Sequence, residues 1–176
     1  MSGKSKTPVV GIIMGSDTDL PVMSEAAKIF DKFGIPYEME VTSAHRSPAR
    51  THEYATTAAA RGLKSIIVGA GGAAHLAGVV AAVTTIPVIG VPMATTSLNG
   101  MDSLLSIVQM PGGVPVATMA IDKAGAVNAA IFAAEILGLS DPAVAEKLAT
   151  HKQDLMKSVT EKNARLQQQL AEKASK

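Results

Sequence analysis

"VVGIIM", residues 9–14, is an unbroken apolar run closed by Pro8 on one side and Gly15-Ser16 on the other. A run that short and uniform reads as a strand covered on both faces, the pattern of a parallel sheet. "SDTDLPVMSEAAKIFDKFG" (16–34) follows, with Ile29, Phe30 and Phe33 at helical spacing and Gly34 as its stop. "YEMEV" (37–41) alternates, as a more exposed strand does. "SPARTHEYATTAAARG" (47–62) opens a helix on Ser-Pro and ends on Gly62. "SIIVGA" (65–70) is a second buried strand, and a short Ala-rich helix is expected near 73–82. Strand "PVIGV" (87–91), helix "MDSLLSIVQM" (101–110), strand "VPVATMAI" (114–121) and helix "KAGAVNAAIFAAEILG" (123–138) complete the alternation. Residues 141–176 continue as helix, and their last dozen are polar all round, a composition that predicts fraying.

Strands alternating with helices mean a parallel sheet with right-handed crossovers. The expected fold is α/β: a three-layer αβα, flavodoxin-like doubly wound parallel sheet of five strands with a C-terminal helical extension. The whole of 1–176 reads as one domain, with its core at about 8–140 and a helix and polar tail over 141–176. Ligands of such sheets bind at the carboxyl ends of the strands, near the switch in strand order. "GSDTD" (15–19), "TSAHRSP" (42–48), "GAGGAAH" (69–75), "PMATTSLNG" (92–100) and "DKAG" (122–125) are therefore expected on one edge.

Composition narrows the partners. A chain of 176 residues suits one domain that buries roughly two-thirds of its unfolded surface. Aromatics are 3% and tryptophan is absent, so the core must be built from Ala, Val, Ile, Leu and Met. Such an alanine-rich surface tends to continue into a subunit interface, which favours a homo-oligomer. A net charge of +1, with lysines spread until the tail and no interleaved aromatics, argues against a nucleic-acid groove. Zero cysteines exclude disulfides, thiolate metal sites and a cysteine nucleophile. No apolar signal region follows the polar start, and every apolar stretch is broken before membrane-spanning length. The expectation is a cytoplasmic protein without membrane contact.

Each motif has two readings. In "GSDTD", Gly15 permits a tight turn, and Ser16 and Thr18 put hydroxyls beside free N–H groups at a helix start, a site for a phosphate. Simple N-capping explains the same residues equally well, and Asp19 can either cap or accept hydrogen bonds from ribose hydroxyls. On an arbitrary loop His45 and Arg46 would be solvated polar residues. Beyond the second strand, beside that turn, an arginine for a phosphate and a histidine for the reacting atoms make a coherent pair, with Ser43 adding a hydroxyl. "GAGGAAH" has the spacing of a dinucleotide turn, but it sits in the third unit and no acidic residue follows about 20 positions on. What survives is a bare loop whose backbone a small group can approach closely. His75, at a helix start, is either a second polar contact or a cap, and the cap is favoured.

Other chemistries fit poorly. Tyr37, Tyr54, Phe30, Phe33 and Phe132 all fall in strands or helices, leaving no loop aromatic for a flavin. No G-x-S-x-G elbow exists. His45, His52, His75 and His151 lack zinc-ligand spacing, and His52 and His151 read as helix-surface residues. A receiver domain would need an aspartate after the third strand, where Gly-Ala-Gly-Gly stands.

"MGSDTD", "SAHRSP" and "GAGGAAHLAG", with "LLSIVQMPGGVPVATMAI" behind them, resemble the class I N5-carboxyaminoimidazole ribonucleotide mutase family of purine synthesis, from about residue 8 to about residue 140. The resemblance implies a flavodoxin-like sheet, an octamer, a small-molecule ribonucleotide substrate and no metal or organic cofactor. It implies an isomerase that moves a carboxylate from the exocyclic nitrogen to ring carbon 4, with His45 as general acid and base. By the same resemblance Ser16 and Arg46, with Thr18, hold the 5′-phosphate, and Asp19 binds the ribose. Ser43 and His45 face the imidazole. The backbone of Ala70, Gly71 and Gly72 lines the carboxylate pocket, with His75 and Leu76 at its border. Two positions depart from the family pattern: Ala77 stands where a proline is usual, and Thr18 where a serine is usual. Class II relatives, which use free carbon dioxide, carry a lysine after the histidine and a bulkier third loop. Arg46 and "GAGGAAHL" therefore align this chain with class I. Two alternatives are a class II-type carboxylase and a non-catalytic nucleotide-binding module.

Overall fold

The computed structural model describes residues 7–174. Strands β1 (Val10–Met14), β2 (Tyr37–Val41), β3 (Ser65–Gly71), β4 (Val88–Met93) and β5 (Ala117–Thr118) form one parallel sheet in the order β2-β1-β3-β4-β5. Helices α1 (Leu20–Phe33), α2 (Pro48–Thr57), α3 (Leu76–Ala81), α4 (Met101–Val108) and α5 (Asp122–Gly138) connect and follow them, and α6 (Pro142–Ala174) closes the chain. This is the three-layer, doubly wound, flavodoxin-like arrangement.

Successive strand residues point to opposite faces. Ile12, Met14, Ile67 and Ile89 meet Met23, Phe30 and the α5 alanines Ala126, Ala129, Ala130 and Ala133 on one face. Ile13, Ile66, Val68 and Val88 meet Tyr54 of α2, Leu76 and Val80 of α3 and Ile107 of α4 on the other. Strands covered on both sides have no polar face to alternate, which is why "VVGIIM" is continuous. β2, at the sheet edge, is only half-buried along its length and ends exposed at Val41, as its alternation predicts.

Several boundaries differ from expectation. Residues 16–34 divide into a 3-10 turn, Asp17–Asp19, and α1 from Leu20, because Pro21 belongs in a first helical turn, where no N–H is needed. β3 takes in Gly71, and β4 runs on through Pro92-Met93, so Ala70 and Gly71 are paired strand residues opposite Pro92 and Met93. The fifth strand shrinks from 114–121 to Ala117–Thr118, as Pro115 lacks a donor and the Pro111-Gly-Gly stretch precedes it in a turn. α3 covers only Leu76–Ala81.

α6 anchors through its first turns. Val144 is buried, and Lys147 Nζ donates to the Phe33 carbonyl, satisfying the end of α1. His151 is half-buried, its ring edge-on to Phe33 at 5.7 Å, and so is not the surface residue its helix position predicts. His52 is exposed as expected. Beyond His151 almost every side chain is exposed, and the helix continues to Ala174 through the segment predicted to fray.

Candidate active site

The chain runs from β1 outward to β2 and then crosses back to β3 on the other side of β1. That reversal leaves a crevice at the carboxyl end of the sheet, the position at which open α/β sheets take ligands. A cleft of about 320 Å³ lies there, walled by three loops. After β1 come Gly15, Ser16, Thr18 and Asp19; after β2, Ser43, Ala44, His45 and Arg46; from β3 into α3, Ala70, Gly71, Ala73, His75 and Leu76. Thr95, beyond β4, closes it. A second cleft of about 280 Å³ shares Gly15, Ser16, Ser43 and Arg46 with the first, so the arginine stands on the wall between them.

The β1 turn holds itself together. Ser16 Oγ accepts from the Thr18 N–H at 3.3 Å and from the Thr18 hydroxyl at 2.9 Å, so the expected cap is present. Asp19 makes no cap bond with its side chain and is buried instead, 4% exposed. In the second loop the Ser43 hydroxyl accepts from the Arg46 N–H at 3.2 Å, and Ser47 Oγ accepts from the Ser43 N–H at 3.0 Å. Beneath them Thr42 and Thr51 share a buried hydrogen bond of 2.8 Å that pins the loop to α2. Arg46 Nη2 donates to the Gly15 carbonyl at 3.0 Å, tying the first two loops together.

The third wall is bare by construction. A methyl group on Gly71 would sit 2.1 Å from Thr95 Oγ1, and Gly72 has φ 64°, a left-handed value that side chains resist. Gly72 does not line the cleft. Its N–H donates to Ser103 Oγ at 2.9 Å, and that hydroxyl donates to the Met93 carbonyl at 2.8 Å. Ser103, fully buried on α4, thus fastens the glycine loop to the end of β4. His75 is the N-cap residue of α3, yet its ring makes no cap bond. Its Nδ1 lies 2.9 Å from His45 Nε2, which corrects the cap reading.

Residues 9–158 match the AIR carboxylase family, most of the chain. The chain belongs to that family. It is 57% identical over 168 residues to the N5-carboxyaminoimidazole ribonucleotide mutase of Pyrococcus horikoshii, covering 96% of this chain and 94% of that protein. It is 59% identical over 161 residues to the Thermotoga maritima protein of the same name, covering 92% and 93%. The crystal structure of Treponema denticola PurE superposes with a TM-score of 0.82 at 28% identity, over 90% of this chain and 98% of that one.

Every residue expected in the site lines this one cleft except Gly72, whose N–H is turned to Ser103. Thr95, Ser103 and Asp122 were not among those expected. Asp122, with φ 57°, accepts the Ala94 N–H on Oδ1 at 2.9 Å and so shapes the segment that carries Thr95. Its only signal in the sequence is its place in "DKAG", directly after the fifth strand. Ser103 is the one hydroxyl on the buried face of α4, where it stands with Ile107, a pattern that asks for a buried partner.

Burial raises the Asp19 carboxyl above the ordinary Asp range; the Ser16 backbone N–H opposes the rise, and the nearby Asp122 and Asp17 add to it. With a raised folded-state value, the folded chain holds a proton that the unfolded chain has already released. The associated stability is fully present below about pH 3.9 and is lost as pH rises through the folded value. Asp19→Asn should therefore gain on the parent as pH rises from about 4 to about 7. Thermal midpoints of both chains across that range check it, and a pH-independent difference would dismiss the burial argument.

Proposed function

We propose that this chain converts N5-carboxyaminoimidazole ribonucleotide to 4-carboxyaminoimidazole ribonucleotide, with His45 as acid and then base. The observation that carries the reading is the His45–Arg46 loop facing the side-chain-free end of β3 across one cleft. The names of its relatives support the same reaction.

The substrate is a carbamate, which loses carbon dioxide once its nitrogen is protonated. His45 as imidazolium supplies that proton; the carbon–nitrogen bond breaks, leaving an amine and carbon dioxide. Held beside the ring by Ala70, Gly71 and Ala73, the carbon dioxide meets the enamine-like carbon 4 before it can diffuse away, a gain in effective concentration. Carbon 4 forms the new carbon–carbon bond, and neutral His45 takes the carbon-4 proton as the ring regains aromaticity. One proton leaves the histidine and one returns, so no net proton change and no ATP is needed. Arg46 and the Ser16–Thr18 turn hold the 5′-phosphate, Asp19 the ribose, and Ser43 faces the imidazole.

The same reading includes a homo-oligomer, an octamer by the family resemblance. Supporting it, Leu98, Met101, Leu105 and Val108 form an exposed apolar stripe along α4 and the loop before it. It also includes a cytoplasmic location. No helix among the described residues is long and apolar enough to cross a membrane.

The test is ultraviolet-monitored turnover of freshly made N5-carboxyaminoimidazole ribonucleotide without ATP, beside a cuvette of aminoimidazole ribonucleotide and bicarbonate. Fast conversion of the carbamate is expected. Conversion only with bicarbonate would move the chain to the carboxylase class, and silence in both from folded protein would leave a binding module.

A further inference from the structure

His45 and His75 arrive from loops thirty residues apart in sequence. Their rings meet edge-to-face, with centroids 4.9 Å apart at 73°, and His45 Nε2 lies 2.9 Å from His75 Nδ1. A contact of that length between ring nitrogens needs one proton between them. Two imidazolium rings would bring two N–H groups face to face, so the pair holds at most one positive charge with ease. In that singly charged state one proton bridges the rings, and the outer nitrogens, His45 Nδ1 and His75 Nε2, each carry one.

Proton counting then fixes the direction of the bond. For His45 to act as an acid, Nδ1 must give up its proton. The neutral ring left behind keeps its remaining proton on Nε2, in the bridge, and Nδ1 becomes an empty acceptor. Had the bridging proton belonged to His75, neutral His45 would carry its proton on Nδ1 and could not receive another there as a base.

We propose that His75 is a positioning residue: its Nδ1 accepts the His45 Nε2–H and holds His45 in the tautomer whose Nδ1 exchanges protons with the substrate. The role rests on the acid–base reading of His45 given above. It explains why the N-cap residue of α3 leaves the helix end uncapped by its side chain. The other charged side chains of the cleft are Asp19, on the β1 turn, and Arg46, in the same loop as His45; neither makes a side-chain hydrogen bond to either ring. The His75 ring is exposed, while Ala74, Leu76 and Ala77 beside it are buried and hold the backbone, so replacing the ring leaves the fold standing.

The experiment uses the full chain with its four histidines ring-labelled with nitrogen-15, His52 and His151 serving as references. Coupling across an N–H···N bond, with the proton attached to His45 Nε2, is expected. In His75→Ala the coupling vanishes and kcat falls by about 100-fold, the low end of what positioned proton transfer contributes, with KM near the parent value. In His75→Asn, whose amide oxygen takes up roughly the Nδ1 position, most of the turnover returns. A bridging proton attached to His75, an absent coupling, or an unchanged kcat in His75→Ala would each overturn the proposal. Loss of the proposed reaction itself would show as an inactive parent protein. The coupling experiment is decided independently of that result.

Discussion

His45→Asn is expected to abolish turnover while leaving nucleotide affinity nearly intact. Asparagine keeps a polar group of similar reach, so contacts that merely hold the ligand survive. It cannot gain or lose a proton near neutral pH, so both halves of the reaction stop: the carbamate nitrogen receives no proton, and carbon 4 retains its own. Positioned proton transfer contributes about 10²- to 10⁴-fold to rate, and two such steps depend on this one ring. His45 is exposed in the protomer, so its replacement opens no cavity and the variant folds. Single-turnover kinetics beside calorimetric binding of the product nucleotide separate the two effects. Weakened binding with near-normal turnover would assign His45 to holding the ligand.

Arg46→Ala is expected to do the opposite, weakening nucleotide binding far more than saturated turnover. A hydrogen bond to a charged group is worth about 1.5 to 3 kcal/mol, or roughly a 10- to 150-fold rise in Kd. Part of that loss comes from the loops themselves, because the guanidinium also grips the Gly15 carbonyl and sets the distance between the first two walls. Arg46→Lys keeps the charge but loses the planar fork, so it should fall between the two. Unchanged affinity in Arg46→Ala would put the phosphate elsewhere, and the smaller cleft on the other side of that side chain would be the place to look.

Much of this was legible in the sequence because strand-following loops in an alternating chain must share an edge. "GSDTD", "SAHRSP" and "GAGGAAH" are thus placed together by the alternation alone. Less legible were features that depend on which strands become neighbours. The His45–His75 contact needs β1 to lie between β2 and β3, and nothing in the spacing of the two residues announces it. Nor does the spacing announce that Asp19 turns inward when it could cap, or that Ser103 takes the Gly72 N–H. β5 is shorter than the β-prone stretch 114–121 predicts because Pro115 removes a donor just where pairing would begin. His151 departs from its surface reading because polar composition says nothing of where a helix docks, and here the ring packs on Phe33.

The strand order also governs when the cleft comes into being. β1 lines up with β3 from Val10 opposite Ser65 to Met14 opposite Gly69, while β2 takes the outer edge. Parallel pairing of segments so far apart pays its loop-closure entropy before any contact rewards it. A chain emerging from synthesis, N-terminus first, can complete the β1–α1–β2 unit and already carry Ser16, His45 and Arg46. Until β3 docks, those residues face water across an open strand edge, with no glycine wall and no His75. The polar walls of the cleft belong to the part of the chain made early, and the glycine wall that closes it belongs to the part made later.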